Sequence, residues 1–96
     1  MAFIHIVTFK WREPGADGTA IADALRGLAA RLEGVQSYLC GSDAGHAPGA
    51  YDFAVVGTFD DAEHFAAYRD HAEHQRILQE LILPNVESRT VVQLKD

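Results

Sequence analysis

The stretch Tyr68-Arg69-Asp70-His71-Ala72-Glu73-His74 places a phenol and two imidazoles close together, and His5 adds another imidazole inside an otherwise apolar segment near the start. Imidazole titrates near neutral pH, which suits it to moving protons there. Within an apolar pocket, desolvation disfavours the charged ring. A neutral His74 would then accept a proton from carbon or oxygen, while Tyr68 donates a hydrogen bond to a carbonyl becoming an enolate. His5 would orient the ligand or His74. This chemistry covers aldol-type ring closure, isomerisation and other proton transfers that need no cofactor. Each of the three residues, taken alone, also fits an ordinary packing role, since a tyrosine routinely buries its ring and wets its hydroxyl.

The flanking sequence shows what would position these groups. Phe3 to Lys10 is rich in β-branched and aromatic residues and reads as a strand. Arg12 to Gly18 is a turn, punctuated by Pro14-Gly15 and Asp17-Gly18. Thr19 to Glu33 reads as a helix, with Ile21, Leu25, Leu28 and Leu32 on one face, Asp17 or Thr19 as its cap and Gly34 at its end. Val35 to Gly41 and Tyr51 to Phe59 are strands. Asp60 with Glu63 has capping-box spacing for a second helix that runs to about His71 and continues from Ala72 to Leu83, where Pro84 stops it. Val86 to Leu94 is the last strand. The order βαββαβ predicts a ferredoxin-like α+β fold, a four-stranded antiparallel sheet with helices on one face.

Strand alternation puts Phe3, His5, Val7 and Phe9 on one face of the first strand, and Phe53, Val55 and Phe59 on one face of the third. These larger sets should meet the helices. Val7, Phe9, Phe53, Val55, Phe65 and Leu78 are therefore the expected apolar lining of a small-molecule pocket around His5, Tyr68 and His74. The opposite face carries Ile4, Ile6, Ala54 and Val56. A sheet open to water is usually more polar there, and exposed apolar patches mark interfaces. The expectation is a homodimer packed sheet against sheet.

Ninety-six residues bound the protein to one domain, residues 1–96, and 48% hydrophobic content is enough for one modest core. The net charge of −6 and the scattered Lys and Arg argue against a nucleic-acid partner, which would need a basic stripe. No apolar run approaches membrane-spanning length, and the opening residues are too short and too alternating for a secretory signal. The single cysteine, Cys40, excludes an intrachain disulfide and reads as a packed strand residue. Together these suggest a cytoplasmic location and no membrane partner.

Taken in order, several motifs resemble the stress-responsive A/B barrel (Dabb) family: His5-Ile6-Val7-Thr8-Phe9-Lys10-Trp11, Gly41-Ser42-Asp43, Tyr51-Asp52-Phe53, Phe59-Asp60 and Tyr68 through His74. The resemblance spans essentially the whole chain. It implies the dimeric α+β barrel fold, in a family that includes stress-induced proteins and polyketide cyclases of the olivetolic acid cyclase kind. For those cyclases the resemblance implies a catalytic histidine at His74, a tyrosine at Tyr68 and a strand histidine at His5, facing one another across an apolar pocket. Ala72 stands where the family often has Pro, so a softer helix break is expected here.

Rival readings are a non-catalytic stress-associated barrel and, by fold analogy alone, a dimeric-barrel monooxygenase. A metal site from His64, His71 and His74 would need three protein ligands with supporting geometry, and the chain has no HExxH pattern, so no metal and no cofactor are expected. His64 and His71 are expected at the surface. The Gly41 to Gly49 loop lacks both P-loop and dinucleotide patterns and reads as a hairpin connection covering the pocket mouth. Trp11 reads as a packing or rim residue.

Overall fold

Runs of β-branched and aromatic residues form strands at Phe3–Trp11 (β1), Val35–Ser42 (β2), Phe53–Phe59 (β3) and Val86–Lys95 (β4), in a computed structural model that describes residues 2–96. The sheet order is β2-β3-β1-β4 with every pair antiparallel. Helices occupy Gly18–Ala29 (α1), Ala62–Asp70 (α2) and Ala72–Ile77 (α3). A π-helical turn, Leu78–Ile82, and a 3₁₀ turn, Leu83–Asn85, then lead into β4. This is the ferredoxin-like α+β fold expected from the element order. No helix among the described residues is long and apolar enough to cross a membrane.

The core lies between the sheet and the helices. Phe9, Phe53, Val55 and Phe59 of the sheet meet Ile21, Leu25 and Leu28 of α1, together with Phe65 and Ile77 from the later helices. Burying one such side chain contributes about 1.5–3 kcal/mol, which is why the apolar stripe of α1 decides where the helix docks. Cys40 is buried in this same layer.

Helix ends differ from the sequence expectation in instructive ways. Asp17 does cap α1, accepting from the Ala20 amide at 3.0 Å. The helix stops at Ala29 rather than Glu33, and Gly34 takes φ +80° in the turn into β2. The cap of α2 is Asp61, not Asp60: its carboxylate accepts from the His64 amide at 2.9 Å and lies 2.7 Å from the His64 ring. Asp60 instead accepts a hydrogen bond from the Gln36 side chain.

The break between α2 and α3 is sharp, not softened by the absence of proline. His71 adopts φ −59°, ψ 136°, extended geometry that ends α2. Its ring Nδ1 accepts from the Glu73 amide at 3.0 Å and caps α3. A side-chain cap thus does what a ring constraint does elsewhere, by satisfying an amide the new helix would leave unpaired.

Candidate functional site

The helix break is what positions His74. At the end of α2 the Arg69 carbonyl receives no backbone amide in the usual helical pattern, because the Glu73 amide is taken by His71. It accepts instead from His74 Nδ1 at 2.9 Å and from Gln75 Nε2 at 2.7 Å. A carbonyl only accepts, so Nδ1 of His74 carries the proton and Nε2 is the lone-pair nitrogen of the neutral ring. His74 is 8% exposed. Burial pushes its pKa below the ordinary histidine value and outweighs the opposing pull of the Arg69 carbonyl.

His5 has the opposite tautomer. Its Nδ1 lies 3.0 Å from the side-chain amide nitrogen of Gln93, which can only donate. With Gln93 donating in this bond, the proton of the neutral His5 ring is on Nε2. The ring rests against Phe65, with centroids 4.6 Å apart. Burial first, and the neighbouring His74 second, lower its pKa to about 4.

Tyr68 packs on His74 with ring centroids 4.3 Å apart. Its hydroxyl lies 2.6 Å from that of Tyr38 on β2, a partner that the sequence reading missed. Burial raises the Tyr68 pKa to about 12, with the Tyr38 hydrogen bond acting in the opposite sense. Tyr38 is pushed up as well, by burial and by Tyr68. The signal for Tyr38 lay in strand register: Tyr38, Gly57, His5 and Gln93 are cross-strand neighbours in one row spanning all four strands. Gly57 leaves that row without a side chain between Tyr38 and His5.

His5, Tyr68 and His74 line a common cavity of about 270 Å³. Of the six expected apolar lining residues, Val7, Phe9, Val55, Phe65 and Leu78 do border it. Phe53 does not; it packs in the core against Phe9 and Trp11, close to Gly18 at the start of α1. Trp11 is a packing residue, stacked on Phe9 at 5.6 Å. None of the Gly41 to Gly49 loop lines the cavity, which corrects the expectation that the loop covers its mouth. The further lining that the sequence reading missed comes largely from β4: Arg89, Val91 and Gln93. His64 and His71 are occupied in helix capping. Among the described residues no group of three or more His, Cys, Asp or Glu is arranged to hold a metal ion.

The family model for the stress responsive A/B barrel domain, Dabb, matches residues 3–96. The chain belongs to the Dabb family. A dimeric ferredoxin-like protein of unknown function from Thermobifida fusca YX superposes with a TM-score of 0.89 at 35% identity, covering 100% of this chain and 92% of the other. Another dimeric protein of unknown function with a ferredoxin-like fold, from Bacteroides fragilis NCTC 9343, superposes with a TM-score of 0.79 at 25% identity, covering 99% and 96%. The uncharacterized protein SCO4036 of Streptomyces coelicolor is 32% identical over 75 residues, which are 74% of this chain and 77% of that relative. This Dabb chain therefore shares its fold with solved dimeric proteins.

Proposed function

We propose that this Dabb protein is a homodimer that holds a small, largely apolar carbonyl compound in the cavity and transfers protons on it without a cofactor. The observation that carries the reading is the way two imidazoles are held at one apolar cavity: Nδ1 of His74 is taken by the Arg69 carbonyl and Nδ1 of His5 by the Gln93 side chain, which suits His74 to offer a lone pair and His5 an N–H. A base and a donor of this kind divide an enolisation between them. His74 Nε2 takes the proton from the carbon next to the carbonyl. The electron pair moves onto the carbonyl oxygen, which accepts hydrogen bonds from the Tyr68 hydroxyl and from His5 Nε2–H. An enolate conjugated to a carbon–carbon double bond then takes the proton back at the far carbon of that bond, an isomerisation; otherwise the enolate carbon attacks a second carbonyl carbon, a ring closure. In the second case protonated His74 returns its proton to the new alkoxide.

The homodimer reading rests on the other face of the sheet. Leu39, Val56, Ile6 and Val92 are cross-strand neighbours in a continuous apolar row over all four strands, and Ile4 pairs with Leu94 beside it. Leu39 is 69% exposed and Val92 52%. Covering such a patch with a second copy of itself removes it from water, and the T. fusca and B. fragilis relatives are described as dimeric. The expected interface of Ile4, Ile6, Ala54 and Val56 thus extends to both edge strands.

The test needs no knowledge of the natural substrate. Acetophenone in heavy water exchanges its methyl protons through an enolate, and proton NMR follows the loss of signal. The wild-type protein should accelerate this exchange. His74→Ala and Tyr68→Phe should each reduce the acceleration by about a hundredfold or more while leaving the dimer intact. Exchange that is absent from the wild type, or unchanged in His74→Ala, contradicts the catalytic reading and leaves a binding barrel.

A further inference from the structure

Three cross-strand pairs of β1 and β4 form one wall of the cavity: His5 with Gln93, Val7 with Val91, and Phe9 with Arg89. The wall changes character along its length. At one end the imidazole and amide sit beside His74 and Tyr68. The middle pair is two valines. At the far end stands a guanidinium beside an aromatic ring. Four residues of antiparallel strand separate the ends, a span of about 13 Å.

The two arginines at the cavity are not equivalent. Arg69 is committed to Asp70 through two hydrogen bonds of 2.9 and 3.0 Å, and its guanidinium lies 5.8 Å from the Phe65 ring centre. Arg89 has no ion-pair or side-chain hydrogen-bond partner among the described residues, and it borders the cavity. The chain carries a net charge of −6, so its overall field repels anions. Arg89 is exposed at the border of the cavity, and an unpaired guanidinium at the rim of an apolar cavity is suited to forked recognition of a carboxylate.

We propose that the ligand is an amphipathic acid, whose carboxylate is read by Arg89 at one end of the cavity and whose carbonyl lies at the His5, His74 and Tyr68 end. The valine pair takes the hydrocarbon between them. This rests on the reading of the cavity as a ligand site and adds its substrate class, an oxo acid rather than a neutral ketone. An edge-strand arginine also serves to discourage strand pairing between molecules, and the experiment separates the two roles.

Isothermal titration calorimetry with octanoate and with octanol provides the test. The wild-type protein should bind octanoate about tenfold more tightly than octanol, a preference that shrinks with added salt. Arg89→Gln should abolish the preference by weakening octanoate binding far more than octanol binding, and Arg89→Lys should restore part of it. Octanoate and octanol binding equally to the wild type, or a preference that survives in Arg89→Gln, overturns the carboxylate assignment while the cavity stands as an apolar site. Binding of neither compound overturns this assignment and the ligand-site reading together.

Discussion

The hydroxyls of Tyr38 and Tyr68 lie 2.6 Å apart, joining β2 to α2 across the edge of the cavity. Either hydroxyl can donate in this pair, since each carries one O–H and accepting lone pairs. When Tyr38 donates, Tyr68 has its own proton free for a ligand. Removing either hydroxyl leaves a largely buried partner unsatisfied, at a cost of about 1–3 kcal/mol. In urea unfolding, Tyr38→Phe and Tyr68→Phe should each destabilise by that order, and the double variant should lose at least about 0.5 kcal/mol less than their sum. Strict additivity would show that the two hydroxyls do not act on one another.

Ala72 is the first residue of α3, and the residue before it already has the extended conformation that a following proline demands. Ala72→Pro should therefore stabilise the protein by about 0.4–1 kcal/mol, through a less flexible unfolded chain. For a domain of this size that is a rise in melting temperature of roughly 2–8 °C. Calorimetry checks it, and a fall in melting temperature would mean that the junction differs from the geometry described.

Acid should weaken the fold within the histidine range. His5 and His74 both have folded pKa values below the ordinary one, about 4 for His5. Between about pH 6.5 and pH 4 the unfolded chain binds more protons than the folded one at these positions, so stability falls as pH falls through that window. His64 opposes them: Asp61 raises its pKa, so its contribution is fully present below the ordinary histidine value and lost as pH rises through the folded one. Asp61, Asp70 and Glu73 are held below the usual carboxylate range, and their contributions disappear at still lower pH. Urea midpoints measured between about pH 4 and pH 6.5 should slope less steeply in His5→Gln, whereas His64→Gln should remove a loss of stability that the wild type shows as pH rises above about 6.5.

The open sheet face should tolerate a charge in the protomer but not in the dimer. Val92 is half-exposed in the single chain, so Val92→Glu should fold with nearly unchanged secondary structure. Placed at the β4 end of the Leu39, Val56, Ile6 and Val92 row, the carboxylate would be desolvated on association. Sedimentation velocity should show a dimer for the wild type and a monomer for Val92→Glu. A dimer that survives both this change and Leu39→Glu would place the interface on another surface.

Much of the frame was legible in the residues. The order βαββαβ, the helix-facing side of β1 with His5 on it, and the helical stretch holding Tyr68 and His74 follow from periods of two and of about four in the positions of apolar side chains. Such periods survive in a sequence because one face of each element must be dry. Capping was less legible. Asp60 and Asp61 are adjacent and chemically identical, and only the direction in which the chain leaves β3 decides which carboxylate meets the helix amides.

Tertiary structure alone decided the rest. β2 and β4 mix polar and apolar residues without a clean alternation, so nothing local says that Tyr38 reaches Tyr68 or that Arg89 and Gln93 face the cavity. Those contacts join residues 30 or more positions apart and depend on sheet register. The protonation pattern is also a tertiary property. A histidine is the same residue wherever it stands in the chain, and it becomes a lone-pair or an N–H group only when a carbonyl such as Arg69 or an amide such as Gln93 claims its other nitrogen.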